Sequence, residues 1–88
     1  MKVKNIYYTS KFERSFRNIP RKVQKEAAAK EKVFRKNPFH PTLKTHRLKG
    51  PLRDFYSFSV DYRFRIVFAF ENRNEVTFVD IGDHSVYQ

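Results

Sequence analysis

Arg63-Phe-Arg-Ile-Val-Phe-Ala-Phe70, then Glu71-Asn-Arg-Asn-Glu75, then Val76-Thr-Phe-Val-Asp-Ile-Gly82 decide the fold of this chain. Phe64, Ile66, Phe68 and Phe70 recur at a period of two, opposite Arg63, Arg65, Val67 and Ala69. That alternation describes a strand with one apolar face. Asn72-Arg73-Asn74 reads as a turn without glycine, since asparagine tolerates positive φ. Strands are therefore predicted over 63–70 and 75–82. Upstream, Tyr56, Phe58 and Val60 alternate with Ser57, Ser59 and Asp61, which adds a strand over 55–61.

Working outward, Val3 to Tyr8 is rich in β-branched and aromatic residues and reads as a first strand. Ser10-Lys-Phe-Glu13 has the spacing of a capping box, with the Ser10 hydroxyl accepting from the Glu13 amide. Phe12, Phe16 and Ile19 then fall on one helical face. Asn18-Ile-Pro20 closes this helix, and Pro20 suits the first turn of the next. The second helix runs to about Lys36, with Val23, Ala27 and Phe34 inward, and Asn37-Pro38 stops it. Residues 38–53 read as a long loop punctuated by Pro38, Pro41, Gly50 and Pro51. The order β-α-α-β-β-β predicts an α+β fold. An N-terminal strand, an antiparallel helical hairpin and a three-stranded antiparallel meander complete one small sheet. A chain of 88 residues makes a single domain, 1–88.

Ten Phe and five Tyr concentrate apolar area in few side chains, which a short chain needs. The absence of cysteine excludes disulfides and thiolate zinc sites. It fits a reducing compartment, and Met1-Lys-Val-Lys-Asn5 has no apolar signal region, so a cytoplasmic, non-membrane protein is expected. The net charge is +10 and uneven: residues 1–53 hold 16 Lys/Arg against 3 acids, residues 54–88 hold 3 against 6. Such a surface attracts polyanions, with nucleic acid, including rRNA, the preferred partner over a membrane. The plainer reading is a solvated, solubilising face.

If Glu71 pairs with Glu75, Arg65 opposes Ile81 and Arg63 opposes Asp83, which brings His84 to the arginine end of the neighbouring strand. Gly82 is expected to mark a bulge there. Cleaving an RNA phosphate through its own 2′-hydroxyl requires a base, an acid and cations for the charged phosphorane. Histidine titrates near neutral pH and arginine offers a planar fork to phosphate oxygens. His84, His46, Arg65 and Tyr87 are the candidate catalytic residues. Arg63, Lys44, Arg47, Lys49 and Arg53, with the helix lysines, are candidate RNA contacts. The competing readings are a salt bridge from Arg65 to Asp61 or Asp80, solvated imidazoles at His46 and His84, and a terminal anchor at Tyr87. His40, between Pro38 and Pro41, reads as structural. Three histidines without regular spacing argue against a metal site, and no cofactor is expected.

The Leu-Lys-x-His-x-Leu-x-Gly loop (Leu43 to Gly50), the Tyr-Arg-Phe-Arg-Ile-Val-Phe strand (Tyr62 to Phe68) and the Gly-Asp-His-Ser-Val-Tyr ending (Gly82 to Tyr87) resemble the RelE/ParE superfamily of toxins. Those toxins belong to type II toxin–antitoxin systems, and the resemblance is to the YafQ and YoeB branches above RelE itself. It implies a ribosome-dependent, metal-independent mRNA endonuclease that inhibits translation, with a cognate antitoxin, rRNA and mRNA as partners. The lysines of RelE fall at Ser57 and Ser59, the YafQ strand histidine falls at Ser59, and residues 39–50 hold no carboxylate to match the YoeB base near Thr42. His46 is therefore expected to supply or support the base. The alternatives are a ParE-like toxin that inhibits DNA gyrase without cutting RNA, and a degenerate toxin retained as an interaction module.

Overall fold

The computed structural model describes residues 1–87, except the side chains of Ser85 and Tyr87. Its elements are β1 (Asn5–Tyr8), α1 (Ser10–Asn18), α2 (Arg21–Lys36), β2 (His46–Arg47), β3 (Tyr56–Ser59), β4 (Arg65–Asn72) and β5 (Glu75–Gly82). Short 3-10 turns occupy Pro41–Leu43, Gly50–Leu52 and His84–Tyr87. The sheet has five strands in the order β1-β5-β4-β3-β2. Four strands were expected; the additional one, β2, lies in the predicted loop. It is two residues long and both side chains are exposed, so no alternation marks it. Pairing of His46 with Ser57 and Arg47 with Tyr56 creates it. The sheet is also mixed, because β1 runs parallel to β5.

Both helices cover one face. Phe12 of α1 and Val23, Ala27 and Phe34 of α2 join Ile6, Phe58, Ile66, Phe68, Val76, Phe78 and Ile81 in one core. Phe34 is its plug: its ring centroid lies 4.9 Å from Phe58, 4.9 Å from Phe68 and 5.3 Å from Phe78. Edge-to-face and offset ring pairs of this kind add about 0.5–1.5 kcal/mol each beyond buried area. Each helix ends in extended backbone immediately before a proline, at Ile19 and Asn37, because proline disfavours the α region for the residue before it.

The register of β4 on β5 changes along its length. Phe68 pairs with Phe78, but Val67 pairs with Asp80, so Val79 is an extra residue in β5. A second irregularity near the turn pairs Asn72, rather than Glu71, with Glu75. The unbroken register predicted from the turn is therefore corrected: Arg65 opposes Gly82 and Ile66 opposes Ile81. Arg63 does not lie opposite Asp83 in a strand; it belongs to the turn before β4. The physical reason is the apolar pattern. Because facing alternates along a strand, an unbroken register would point Asp80 into the core and Ile81 away from it. One inserted residue reverses this, and Ile81 is buried in the core while Asp80 faces the other side with Val67.

Thr9 fastens the bulge. Its hydroxyl donates to the Val79 carbonyl at 2.7 Å and accepts from the Phe12 amide at 3.0 Å. It is thus the N-cap of α1, one residue before the predicted Ser10. Ser10 matches the capping-box spacing, but only Thr9 reaches both the helix and the bulged strand. At the opposite end of the sheet, Glu75 accepts from the side chains of Asn72, Asn5 and Tyr7, which hold its carboxyl below the usual range. Thr9→Ala is expected to lower the unfolding free energy by about 2 kcal/mol, since cap and bulge partner disappear together. Ser10→Ala should stay within about 0.5 kcal/mol of the parent. Urea titrations followed by circular dichroism distinguish these; equal losses would return the cap to Ser10.

Candidate active site on the helix-free face

The bulge gives the sheet a second, functional-looking face. His46, Ser57, Val67 and Asp80 form one row across β2, β3, β4 and β5, and Ser59, Arg65 and Gly82 form a parallel row two residues along. Directly paired residues share a face, so the six side chains, all but Gly82, project away from the helices. The His84–Tyr87 turn comes back against β4 and β5. Val86 lies so close to Gly82 that an added Cβ would stand 2.6 Å from its Cγ1. Glycine at 82 therefore permits the turn's close approach; it is not the bulge the sequence suggested.

Arg65 is half-buried and donates through Nη1 to Ser59 Oγ at 2.8 Å and to the Asp61 carbonyl at 3.3 Å. Both acids proposed to neutralise it are otherwise engaged. Asp61 Oδ1 accepts from the amides of Arg63 and Phe64 at 2.9 and 2.6 Å, and Asp80 Oδ2 lies 3.6 Å from Lys11 Nζ. Among the described residues Arg65 forms no ion pair. Its guanidinium lines a depression of about 330 Å³ together with Lys30, Lys44, Ser59, Asp61 and Tyr62. Three cations share that depression with one carboxylate, and that carboxylate is hydrogen-bonded to backbone.

His46 is exposed on β2, and its Nδ1 lies 3.2 Å from the Lys44 carbonyl. A carbonyl oxygen only accepts, so Nδ1 carries the proton in this contact and Nε2 of a neutral ring is the open acceptor. His46 lines a different depression from Arg65, with Arg47, Leu48, Lys49 and Leu52. From the register the two backbones stand roughly 12 Å apart, two strands over and two residues along. Lys44 connects the regions: its carbonyl holds His46 and its side chain lines the Arg65 depression. Lys44 also has left-handed backbone, φ 52 and ψ 40, which a non-glycine residue adopts at a cost of about 1–2 kcal/mol.

His84 is exposed at the start of its 3-10 turn, two residues past Gly82, the partner of Arg65. The Tyr87 side chain lies outside the described residues. Arg63 is exposed on the turn, its guanidinium 5.5 Å from the Phe64 ring centre. Arg47 Nε donates to the Arg53 carbonyl, which holds the loop of Lys49 and Arg53 to β2. His40 accepts from the Thr42 amide at its ring Nδ1 and caps the Pro41–Leu43 turn, the structural role expected of it. The sequence placed Lys30 only among the helix lysines as a group and gave Tyr62 no role of its own. Lys30 is one of many α2 lysines, and Tyr62 falls in phase with the β4 core residues although it sits in a turn.

No protein-family model and no curated protein matches this chain by sequence. Solved structures do match by architecture, and the fold is that of the RelE/ParE toxins. A YoeB/ParE toxin from Agrobacterium tumefaciens superposes with a TM-score of 0.78 at 13% identity, covering 92% of this chain and 99% of that one. The YoeB dimer from Staphylococcus aureus gives 0.75 at 18% identity over 96% and 99% of the two chains. The E. coli DinJ–YafQ toxin–antitoxin complex gives 0.74 at 13% identity over 98% and 97%. Among the described residues no helix is long and apolar enough to cross a membrane.

Strain at Lys44 yields a direct test. Lys44→Gly is expected to raise the unfolding free energy by about 1 kcal/mol, because glycine enters the left-handed region freely. Urea unfolding measures it, and a loss of stability would show that the lysine backbone is not strained.

Proposed function

We propose that this chain is the toxin of a type II toxin–antitoxin pair and cleaves mRNA on the ribosome by metal-independent attack of a 2′-hydroxyl on the adjacent phosphate. The observation that carries this reading is Arg65: a half-buried guanidinium with no carboxylate partner among the described residues, in a depression lined by Lys44 of the loop and Lys30 of α2. Such a group is complementary to a phosphate that gains negative charge as it reacts. Toxin–antitoxin complexes of the same architecture support the class.

In the proposed reaction His46 Nε2 accepts the 2′-hydroxyl proton as the O2′–P bond forms. His84 delivers a proton to the departing 5′-oxygen as the P–O5′ bond breaks, and the two histidines exchange roles if the strand binds in the opposite sense. Arg65 stabilises the phosphorane. Arg63 holds a neighbouring phosphate and Tyr87 orients a base. Lys44, Arg47, Lys49 and Arg53 grip mRNA and rRNA backbones. The products are a 2′,3′-cyclic phosphate and a 5′-hydroxyl, with atoms and protons balanced and no metal required. A cytoplasmic site of action follows from the ribosomal substrate. The antitoxin is expected to be acidic where it covers the basic surface.

Induction in bacterial cells, with primer extension on a reporter mRNA, tests the proposal. Growth arrest with breaks phased to codons is expected. Arg65→Ala and His84→Gln should each reduce cleavage by about 100-fold or more while the purified variants keep their fold and antitoxin affinity. Undiminished breaks in both variants would refute the assigned roles. Arrest with a DNA-damage response and intact mRNA would favour gyrase inhibition instead, and no arrest at all would favour an interaction module.

A further inference from the structure

The β3–β4 turn carries a feature that the cleavage chemistry does not use. Tyr62 is 89% exposed, well above every other large apolar or aromatic residue among those described. A lone exposed aromatic is ordinary; this one is mounted on a stiff support. Asp61 Oδ1 accepts from the amides of Arg63 and Phe64, and the Val60 amide donates to the Phe64 carbonyl at 2.9 Å. The turn therefore holds its shape while its tip projects into solvent.

Tyr62 also separates two hollows and forms a wall of each. On one side is the depression of about 330 Å³ that holds Lys30, Lys44 and Arg65. On the other is one of about 500 Å³ lined by Lys22 and Arg63, with Glu26 and Phe64. Asp61 borders both, with its Oδ1 accepting from the turn amides, so the first hollow keeps an excess of cations and the second holds Lys22 and Arg63 beside Glu26. An aromatic fin with lysine and arginine side chains on both sides of it matches a chain of alternating bases and phosphates. Unpaired bases stack on such rings whatever their identity, while flanking cations track the backbone. A duplex would bury its base faces and gain nothing from the ring.

We propose that the turn from Asp61 to Phe64 is a docking element for single-stranded RNA, with Tyr62 stacking on one unpaired base next to the reacting phosphate. Lys30 and Lys44 hold the phosphate on the Arg65 side of that base, and Lys22 and Arg63 hold the one beyond it. The strand thereby leaves the site over α2, which gives the lysines of that helix a specific task. The inference takes the identity of its ligand from the RNA reading above, but it concerns binding and survives without cleavage.

The test is fluorescence anisotropy with the full chain and a short fluorescein-labelled 2′-O-methyl oligoribonucleotide, which lacks the attacking hydroxyl and stays intact. Tyr62→Ala is expected to weaken binding about 10-fold, and Tyr62→Phe to stay within about twofold of the parent. Because Tyr62 is exposed, neither change disturbs the core. Lys22→Gln with Lys30→Gln should lower the slope of log affinity against log salt by about 1.4, near 0.7 for each phosphate no longer neutralised. Parent-like affinity in Tyr62→Ala, an unchanged salt slope, or no binding by the parent chain overturns the proposal. Tyr62-dependent binding by a chain that cuts no mRNA would sink the nuclease reading and leave this one standing.

Discussion

One extra residue in β5 governs what each side of the sheet presents. Val79 interrupts the ladder between Phe78 and Asp80, and beyond it every side chain on β5 changes face. Ile81 thereby enters the core with Ile66, and Gly82 arrives beside Arg65. Without that shift the strand would point a carboxylate into the apolar core and an isoleucine away from it, a choice that hydrophobic burial and charge desolvation both oppose. The kink leaves the Val79 carbonyl needing a donor, and Thr9 supplies it while starting α1. The helical layer and the facing of β5 are therefore fixed by the same hydroxyl.

Charge then distinguishes the helix-free face from an ordinary polar surface. Asp80 faces Lys11, Asp61 is committed to its own turn, and Arg65 is left among lysines with a hydroxyl and a carbonyl for partners. Lys44 draws the loop into this arrangement at the expense of backbone strain, with its carbonyl on His46 and its side chain toward Arg65. In the proposed reaction, that strain holds the cations in place for an anion that arrives later.

Much of this was legible in the residues. Alternation in Phe64 to Phe70 and Tyr56 to Val60 gave the meander, and the prolines at 20 and 38 marked both helix boundaries, because each acts through local sterics. The bulge was not legible from turn counting, although the Asp80-Ile81 order contains its cause. β2 was invisible because two exposed polar residues carry no period. The cap moved from Ser10 to Thr9 because a bond to Val79, some seventy positions away in sequence, decided between two adequate local candidates. At the site, residue types suggested Arg65, His46 and His84. Their arrangement depended on tertiary register, and which helix lysine stands beside Arg65, with Tyr62 next to it, emerged only once helix and turn were placed side by side.

The most direct measurement is the chemistry of the ends left on mRNA cut by the purified chain on ribosomes. A face that works with imidazole and guanidinium, and with the RNA's own 2′-hydroxyl as nucleophile, predicts 2′,3′-cyclic phosphate and 5′-hydroxyl termini. Ends bearing a 5′-phosphate and a free 3′-hydroxyl, the mark of water attacking the phosphate directly, would contradict it.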